Sequence, residues 1–389
     1  MDGWLSSSEA AARLGVKRST LYSYVSRGLL ERAVDMDGRS SRFDPEGVDR
    51  LRSRSGNRGK GEVGVLVSTG ITQMADGELR VRGRNLIGMS SETRFEEAAD
   101  WVWGAEAHGE WSNDDKAGSD VQDLLPSNAP MIDRLRVGVS VASATDPLRN
   151  DLSPSSIRSA GRRVVNLMVD SLPPIAALRG EDVAERLWCR LASGRSNARQ
   201  RSALNRALVL LLDHGLASST LGVRVAASVR ADPYSAVAAG LGILGGRLHG
   251  AASAPIHQIF QEAVASGDPA WALGEAHRRD GRTPGFGHSV YRRNDPRCSA
   301  LMESVVGAWA SHEHLPVVLA VRNLASDRTG APATVDFALG ALTFLAGMQP
   351  EAGEAVFAIA RTAGWIAHAL EEYGEDPLRF RFQARYVGD

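Results

Sequence analysis

Near its start the chain is interrupted by Arg52-Ser-Arg-Ser-Gly-Asn-Arg-Gly-Lys-Gly61, a stretch rich in serine, glycine and charge that has no hydrophobic periodicity. Such a segment reads as a flexible linker and forces the chain into separate folding bodies. The division expected is a small module at 1–51, a linker at 52–62 and a large body at 63–389. Charge divides at the same place. Residues 1–60 hold 12 Lys/Arg against 8 Asp/Glu, and the remainder holds 33 against 38. The near-neutral total excludes a wholly basic nucleic-acid coat or an acidic tail protein, while the two parts differ in sign. Almost all the basic side chains are arginine; lysine occurs only at Lys17, Lys60 and Lys116.

With 43% hydrophobic and 23% charged residues over 389 positions, the chain has ordinary globular composition and ample length to bury a core. Cys189 and Cys298 are too few for a disulfide scaffold and lack metal-ligand spacing. Met1-Asp2-Gly3-Trp4 has no secretory pattern. Apolar runs such as Ala207–Leu212 fall far short of the roughly 18 residues of a membrane span. The expectation is a soluble, cytoplasmic protein without membrane contact, metal or bound cofactor. No glycine-rich phosphate loop sits on a strand-to-helix junction, no H-E-x-x-H occurs, and His312-Glu313-His314 has the wrong spacing for two ligands on one helix face.

In the first module, Ser6 and Glu9 have capping-box spacing and start a helix running to about Leu14. Gly15 allows a sharp turn, with Val16 as an apolar peg. Leu21, Tyr22 and Val25 then recur at helical spacing up to about Gly28. Two short helices around such a turn form a helix-turn-helix. Asp37-Gly38 suits a hairpin within Val34–Phe43, and Asp44-Pro45 starts another helix. This order, with "TLYSYVSRGLL", resembles the winged helix-turn-helix of the MerR and excisionase group. The resemblance implies that Lys17, Arg18, Ser19, Thr20 and Tyr22 face DNA, with Arg39 and Arg42 on the wing. A docking module whose basic residues stay solvated, or one serving assembly alone, remains the alternative. A single such module binds weakly, so useful affinity calls for a dimer.

The body is mostly helical in pattern. Residues 64–90 alternate apolar and polar around Asp76-Gly77, which suggests one hairpin. Phe95–Trp103, Ser156–Leu172, Ala184–Leu191, Ser202–Leu212, Ala217–Val229 and Ser235–Leu244 read as amphipathic or buried helices. Three later segments set polar catalytic residue types among glycines and apolar residues. One runs from Asp213-His214 to Leu248-His249-Gly250, the second is "GFGHSVYRRNDPR" at 285–297, and the third pairs Val335-Asp336-Phe337 with "FAIARTAGWIAH" at 357–368. Taken singly, each histidine competes with a structural role.

Together, in this order, the segments resemble the citrate synthase family from about residue 64 to the end. The resemblance implies an all-α two-domain fold, with a large domain at 63–252 and 356–389 and a small domain at about 253–355. It also implies a homodimer or higher oligomer with shared active sites. Asp336 would be the base toward the methyl group of acetyl-CoA. His249 would hydrogen-bond the thioester oxygen, and His288 would polarise the ketone of oxaloacetate. His214, Arg297 and Arg361 would bind oxaloacetate, whose carboxylates suit the arginine fork, with Arg381 reaching across into the second subunit's site. Gly285, Phe286 and Gly287, with Arg292 or Arg293, match the coenzyme A region.

Four departures bear on the pocket. Gly215-Leu216-Ala217-Ser218 replaces the family's usual Glu-Leu-Asn-Ala-Ser after the histidine, and Ser253 stands in place of an asparagine. Arg80-Val81-Arg82-Gly83-Arg84 replaces Arg-Tyr-Arg-Gly-Tyr, and Leu339 replaces a small residue. The expected activity is condensation of acetyl-CoA with oxaloacetate and water to citrate and CoA. Two alternatives stand beside it: a 2-methylcitrate synthase using propionyl-CoA, and a DNA-binding regulator that uses the synthase-like body to sense a metabolite.

Overall fold

A computed structural model describes residues 4–14, 16, 18–26, 30–34, 41–45, 47–49, 67–75, 77–105, 109–111, 115–177, 180–246, 249, 253–288 and 290–380. The chain divides into two compact units, 1–68 and 69–389. Lys17, Arg39, Arg381, the Asp37-Gly38 turn and the linker at 52–62 lie outside the described residues, as does the side chain of Ser19.

In the first unit, helix α1 (Ser7–Leu14) starts where expected. The Ser6 backbone N–H donates to Glu9 at 2.8 Å, and the Glu9 N–H donates to Ser6 Oγ at 3.3 Å. Helix α2 (Arg18–Ser26) follows, and its Leu21 packs with Ala10, Leu14, Leu30, Phe43 and Val48, with Val16 against them. Strands β2 (Arg32–Val34) and β3 (Ser41–Phe43) form the expected antiparallel pair. A third strand, β1 (Leu5–Ser6), pairs Leu5 with Phe43. Two residues carry no readable period, so this strand was not foreseen.

The second unit is helical apart from a hairpin and one short strand. Strands β4 (Thr72–Ala75), β5 (Glu78–Val81) and β6 (Arg84–Asn85) form an antiparallel sheet. The helices are α3 (Leu86–Glu92), α4 (Phe95–Val102), α5 (Asp115–Leu124), α6 (Met131–Thr145), α7 (Pro154–Asp170), α8 (Val183–Leu191), α9 (Ala198–Leu211), α10 (Ser218–Ser228), α11 (Pro233–Leu244), α12 (Ser253–Ser266), α13 (Pro269–Asp280), α14 (Pro296–Ala308), α15 (Leu315–Thr329), α16 (Val335–Leu345) and α17 (Ala352–Tyr373). Three of these begin on the same local signal. Asp232, Asp268 and Asp295 each precede proline and accept hydrogen bonds from backbone N–H groups of the first turn. Proline at the first helical position gives up an N–H that would have no partner, and the aspartate satisfies others.

Helix α17 organises the core. From Ala352 to Ala369 every residue but Glu354 is buried, so the helix presents no solvent-facing stripe there. It packs against α7, α9, α10 and α11. Among the described residues no helix is long and apolar enough to cross a membrane.

Candidate active site

Four residues of α17 lie along one stripe at i, i+3, i+7 and i+11: Arg361, Gly364, His368 and Glu372. The stripe meets the end of α9 and the turn after it. Arg361 Nε donates to the Leu211 carbonyl at 2.9 Å, and the Gly364 N–H donates to the Leu212 carbonyl at 3.0 Å. A Cβ on Gly364 would stand 2.3 Å from that carbonyl oxygen and 2.6 Å from Asp213 Oδ1. The absent side chain lets the two backbones touch, which fixes where His214 emerges.

His214 opens on a cavity of about 970 Å³ that also exposes His249, the Gly285–His288 loop, Arg297, Asp336, Phe357 and Arg361. His214 Nε2 lies 3.1 Å from the Tyr291 hydroxyl, and its ring sits edge-on to His288 at 5.3 Å between centroids. Burial, reinforced by Arg297 and Arg361, drives its pKa far below the ordinary value to about 2, so this imidazole is neutral. His288 is neutral for the same leading reason. Its Nδ1 accepts from the Val290 N–H at 3.0 Å and the Tyr291 N–H at 3.4 Å. A neutral ring accepting at Nδ1 carries its proton on Nε2.

His249 is held from its other side. Its Nε2 lies 2.9 Å from Ser219 Oγ, a side chain buried in the first turn of α10. Burial and Arg361 lower its pKa. A serine hydroxyl that donates to Nε2 would place the proton of the neutral ring on Nδ1.

Asp336 sits in the first turn of α16. Its carboxylate is densely surrounded yet keeps a face on the cavity, and burial raises its pKa. Nearby Asp295 raises it too, while Arg297 and Arg361 oppose. Its helix is tied to the glycine loop. The Thr334 N–H donates to the Gly285 carbonyl at 2.8 Å, and the Gly287 N–H donates to Pro332 at 3.0 Å. Gly285 adopts φ +77°, and a Cβ there would stand 2.6 Å from Ile256. Both its conformation and its close packing require glycine.

Two arginines complete the wall. Arg297 is buried against Asp295, and Arg361 presses on the Phe357 ring 4.8 Å away while burial lowers its pKa to about 10. Both stay cationic at neutral pH. Two positive forks beside three neutral imidazoles make a pocket for a small dianion.

Of the site residues read from the sequence, His214, His249, Gly285, Phe286, Gly287, His288, Arg297, Asp336 and Arg361 come together here. Arg292 and Arg293 do not; they are exposed beyond Tyr291, away from the lining. The basic groups at the cavity rim are instead His277, Arg279, Arg282 and Arg328. Ser219, Tyr291 and Asp295 gained no role from sequence because each acts through a partner distant in the chain or across a turn. Two expected pocket departures also move. Ser253 and Leu339 pack under Gly353, where a Cβ would meet Ser253 Oγ at 2.3 Å, and neither lines the cavity. Of the four, Ala217 is the one that does.

On the N-terminal unit, Arg18 is exposed and donates to Ser8 Oγ at 2.6 Å. Tyr22 is exposed, with the Arg32 guanidinium 5.5 Å over its ring, and its hydroxyl lies 3.4 Å from Ser41 Oγ. Thr20 and Arg42 are half-buried.

The family model described as citrate synthase, C-terminal domain, matches residues 62–382, and a helix-turn-helix domain model matches residues 4–55. Citrate synthase of Haloferax volcanii is 29% identical over 369 residues, covering 86% of this chain and 97% of that protein. The 2-methylcitrate synthase of Mycobacterium tuberculosis is 27% identical over 345 residues, covering 80% and 86%. Among solved structures, the Thermoplasma acidophilum citrate synthase in ternary complex with carboxymethyl coenzyme A and oxaloacetate superposes with a TM-score of 0.69 at 21% identity, covering 84% of this chain and 94% of that one. The Thermotoga maritima citrate synthase gives 0.68 at 23% over the same shares.

Proposed function

The chain belongs to the citrate synthase family and is an acyl-transferring enzyme of the citrate synthase type; from that premise we propose that it condenses acetyl-CoA with oxaloacetate and water to give citrate and CoA. What supports this reading most is a single lining that combines a half-buried carboxylate, three neutral histidines and two buried arginines. The ternary complex of the Thermoplasma relative adds the two ligand classes such a pocket would take.

Asp336 removes a proton from the acyl α-carbon. A thioester α-proton is weakly acidic, and a desolvated carboxylate with a raised pKa is a stronger base than one in water. Nδ1–H of His249 donates to the thioester oxygen as it becomes enolic, its direction set by Ser219 at Nε2. Nε2–H of His288, aimed by two backbone donors at Nδ1, polarises the ketone that the enol attacks. The new carbon–carbon bond gives citryl-CoA, and water then cleaves its thioester to release CoA as thiol.

His214, Arg297 and Arg361 bind oxaloacetate. Asp295 occupies Nε and one Nη2 proton of Arg297, so the substrate carboxylate takes the end-on Nη edge. Arg361 has given its Nε to Leu211 and likewise offers its Nη edge. Arg381 of a second copy supplies a third fork in a homodimer. The Gly285–Gly287 backbone receives the thioester arm of CoA, and Arg282 and Arg328 at the rim suit its phosphates better than Arg292 or Arg293. Residues about 253–355 form the small domain that closes on the cavity.

Propionyl-CoA differs by one methylene, which an apolar pocket discriminates by only about 1–3 kcal/mol. Thiol release from each acyl-CoA, with and without oxaloacetate, tests the assignment. A higher kcat/KM for propionyl-CoA reassigns the enzyme as a 2-methylcitrate synthase, and no oxaloacetate-dependent thiol release from either overturns the reading.

The helix-turn-helix match favours a second function for the N-terminal unit. Arg18, Thr20 and Tyr22 on α2, with Lys17, Ser19 and the wing arginines Arg39 and Arg42, contact DNA, and a dimer presents two such units. A regulator that senses oxaloacetate or an acyl-CoA through the body is compatible with an active enzyme.

A further inference from the structure

Beneath the His214 turn runs a buried chain of charged side chains that the chemistry above leaves unused. Asp213 is fully buried. Its Oδ2 accepts from the Gly215 N–H at 3.0 Å and from the Thr72 hydroxyl on β4. Its Oδ1 lies 3.3 Å from His368 Nε2, within ion-pair distance, and among the described residues neither atom makes a hydrogen bond. His368 is also fully buried, and its Nδ1 accepts from Arg224 Nε at 3.0 Å. A neutral imidazole that accepts at Nδ1 carries its proton on Nε2, the atom turned toward Asp213. Arg224 Nη1 in turn donates to Glu372 at 2.9 Å. Glu372 accepts two bonds of 2.6 Å from Arg379, at the start of the C-terminal segment.

We propose that His368 is a positioning residue for the oxo-acid half of the reaction. It holds Asp213, and with it the His214 turn, in register with Arg361, and it takes its own tautomer and orientation from Arg224, Glu372 and Arg379. The inference rests on the proposed binding of oxaloacetate at His214 and Arg361. His368 and Arg361 are two turns apart on one face of one helix, so a fixed Asp213–His368 contact fixes the spacing between His214 and the arginine fork. Burial disfavours the ionised Asp213 carboxylate, and His368 does most to offset that, ahead of Arg361 and the Thr72 hydroxyl; its place on the Arg361 face of one helix adds direction to this support.

The test uses the full-length protein and the variants His368→Leu, His368→Gln and Arg379→Ala, each checked by thermal unfolding. Oxaloacetate affinity is read by titration calorimetry, and KM and kcat for both substrates by thiol release. His368→Leu is expected to weaken oxaloacetate by about tenfold or more, the scale of losing a polar contact to a buried charge, with its KM rising in step. The KM for acyl-CoA stays within about twofold, because the selective binding term alone has been removed. His368→Gln, whose amide can accept from Arg224 and donate to Asp213, recovers most of the loss. Arg379→Ala, at the outer end of the chain, shows a smaller loss in the same substrate only.

A folded His368→Leu protein with unchanged oxaloacetate affinity overturns the proposal. So does a parallel loss in kcat and both KM values that His368→Gln does not relieve, since that is the mark of general disordering. If His368→Leu does not fold, Arg379→Ala decides, and unchanged oxaloacetate affinity there overturns the proposal. A wild-type protein that binds no oxaloacetate overturns the assignment of the pocket, and the role of His368 falls with it.

Discussion

Asp295 holds the Arg297 guanidinium through two hydrogen bonds, 3.0 Å to Nε and 2.9 Å to Nη2, and its Oδ2 also accepts from the Val335 N–H at 3.0 Å. One carboxylate thus links a proposed substrate fork to the helix turn that carries the proposed base. It keeps Arg297 charged by pairing it, and its negative charge raises the pKa of Asp336. Asp295→Asn removes that repulsion. The acid limb of kcat/KM is expected to move to lower pH, because Asp336 then stays ionised further into the acid range. Stability falls by about 3–5 kcal/mol as a buried charge loses its partner. A limb that does not move would separate Asp295 from the base.

Gly364→Ala places a methyl group 2.3 Å from the Leu212 carbonyl oxygen. Backbone cannot yield as a side-chain tip can, so the helix must shift away from the His214 turn. A loss of about 1–3 kcal/mol in stability is expected. The KM for oxaloacetate rises more than that for acyl-CoA. Thermal unfolding and steady-state kinetics on one preparation check both, and a neutral substitution would show that this contact is not tight.

Stability should fall as the solution is acidified below the ordinary histidine range. Burial lowers the pKa of His214, His249, His257 and His288, that of His257 to about 4 from 6.5. The unfolded chain therefore binds protons that the folded chain refuses. Stability is complete above pH 6.5 and is lost as pH drops toward the folded values. His257, 2% exposed, accounts for a loss of about 2 kcal/mol by pH 5. Asp336, with a raised pKa, contributes with the opposite sign. Melting temperatures of wild type and His257→Gln from pH 7 to 5 check this. The variant should show the shallower slope, and identical slopes would rule out the His257 contribution.

Deleting residues 1–60 should abolish a DNA gel shift while leaving thiol release intact. Binding by the whole protein should weaken steeply with salt, as counterion release requires. An unchanged shift after the deletion would clear the N-terminal unit.

The sequence was most legible where local chemistry decides structure. The Ser6/Glu9 capping box and the helices around 156–172 and 184–191 stand within about two residues of their expected bounds, and the hairpin expected within 64–90 is the 72–81 strand pair, since caps and apolar periods are local signals. The histidines, Asp336 and both cavity arginines were visible because long ordered motifs carried them. What stayed hidden depends on contacts between distant segments. Nothing near Ser219 signals His249, thirty residues away. Arg224 gives no sign of reaching a helix 144 residues later. Arg292 and Arg293 looked suitable by proximity to the glycine loop, yet the chain turns them outward, while Arg282 just before that loop and Arg328 at the end of α15 reach the rim.

The central claim is that Asp336 is the base. Its direct test compares initial rates of oxaloacetate-dependent thiol release for wild type and Asp336→Ala, alongside their melting curves. Burial makes the ionised carboxylate less favourable in the folded chain than in the unfolded one, so removing it should raise the melting temperature at neutral pH. The account predicts a rate reduced by about 10³-fold or more in a protein at least as stable as wild type. A well-folded Asp336→Ala protein that keeps its rate within about tenfold of wild type would contradict it.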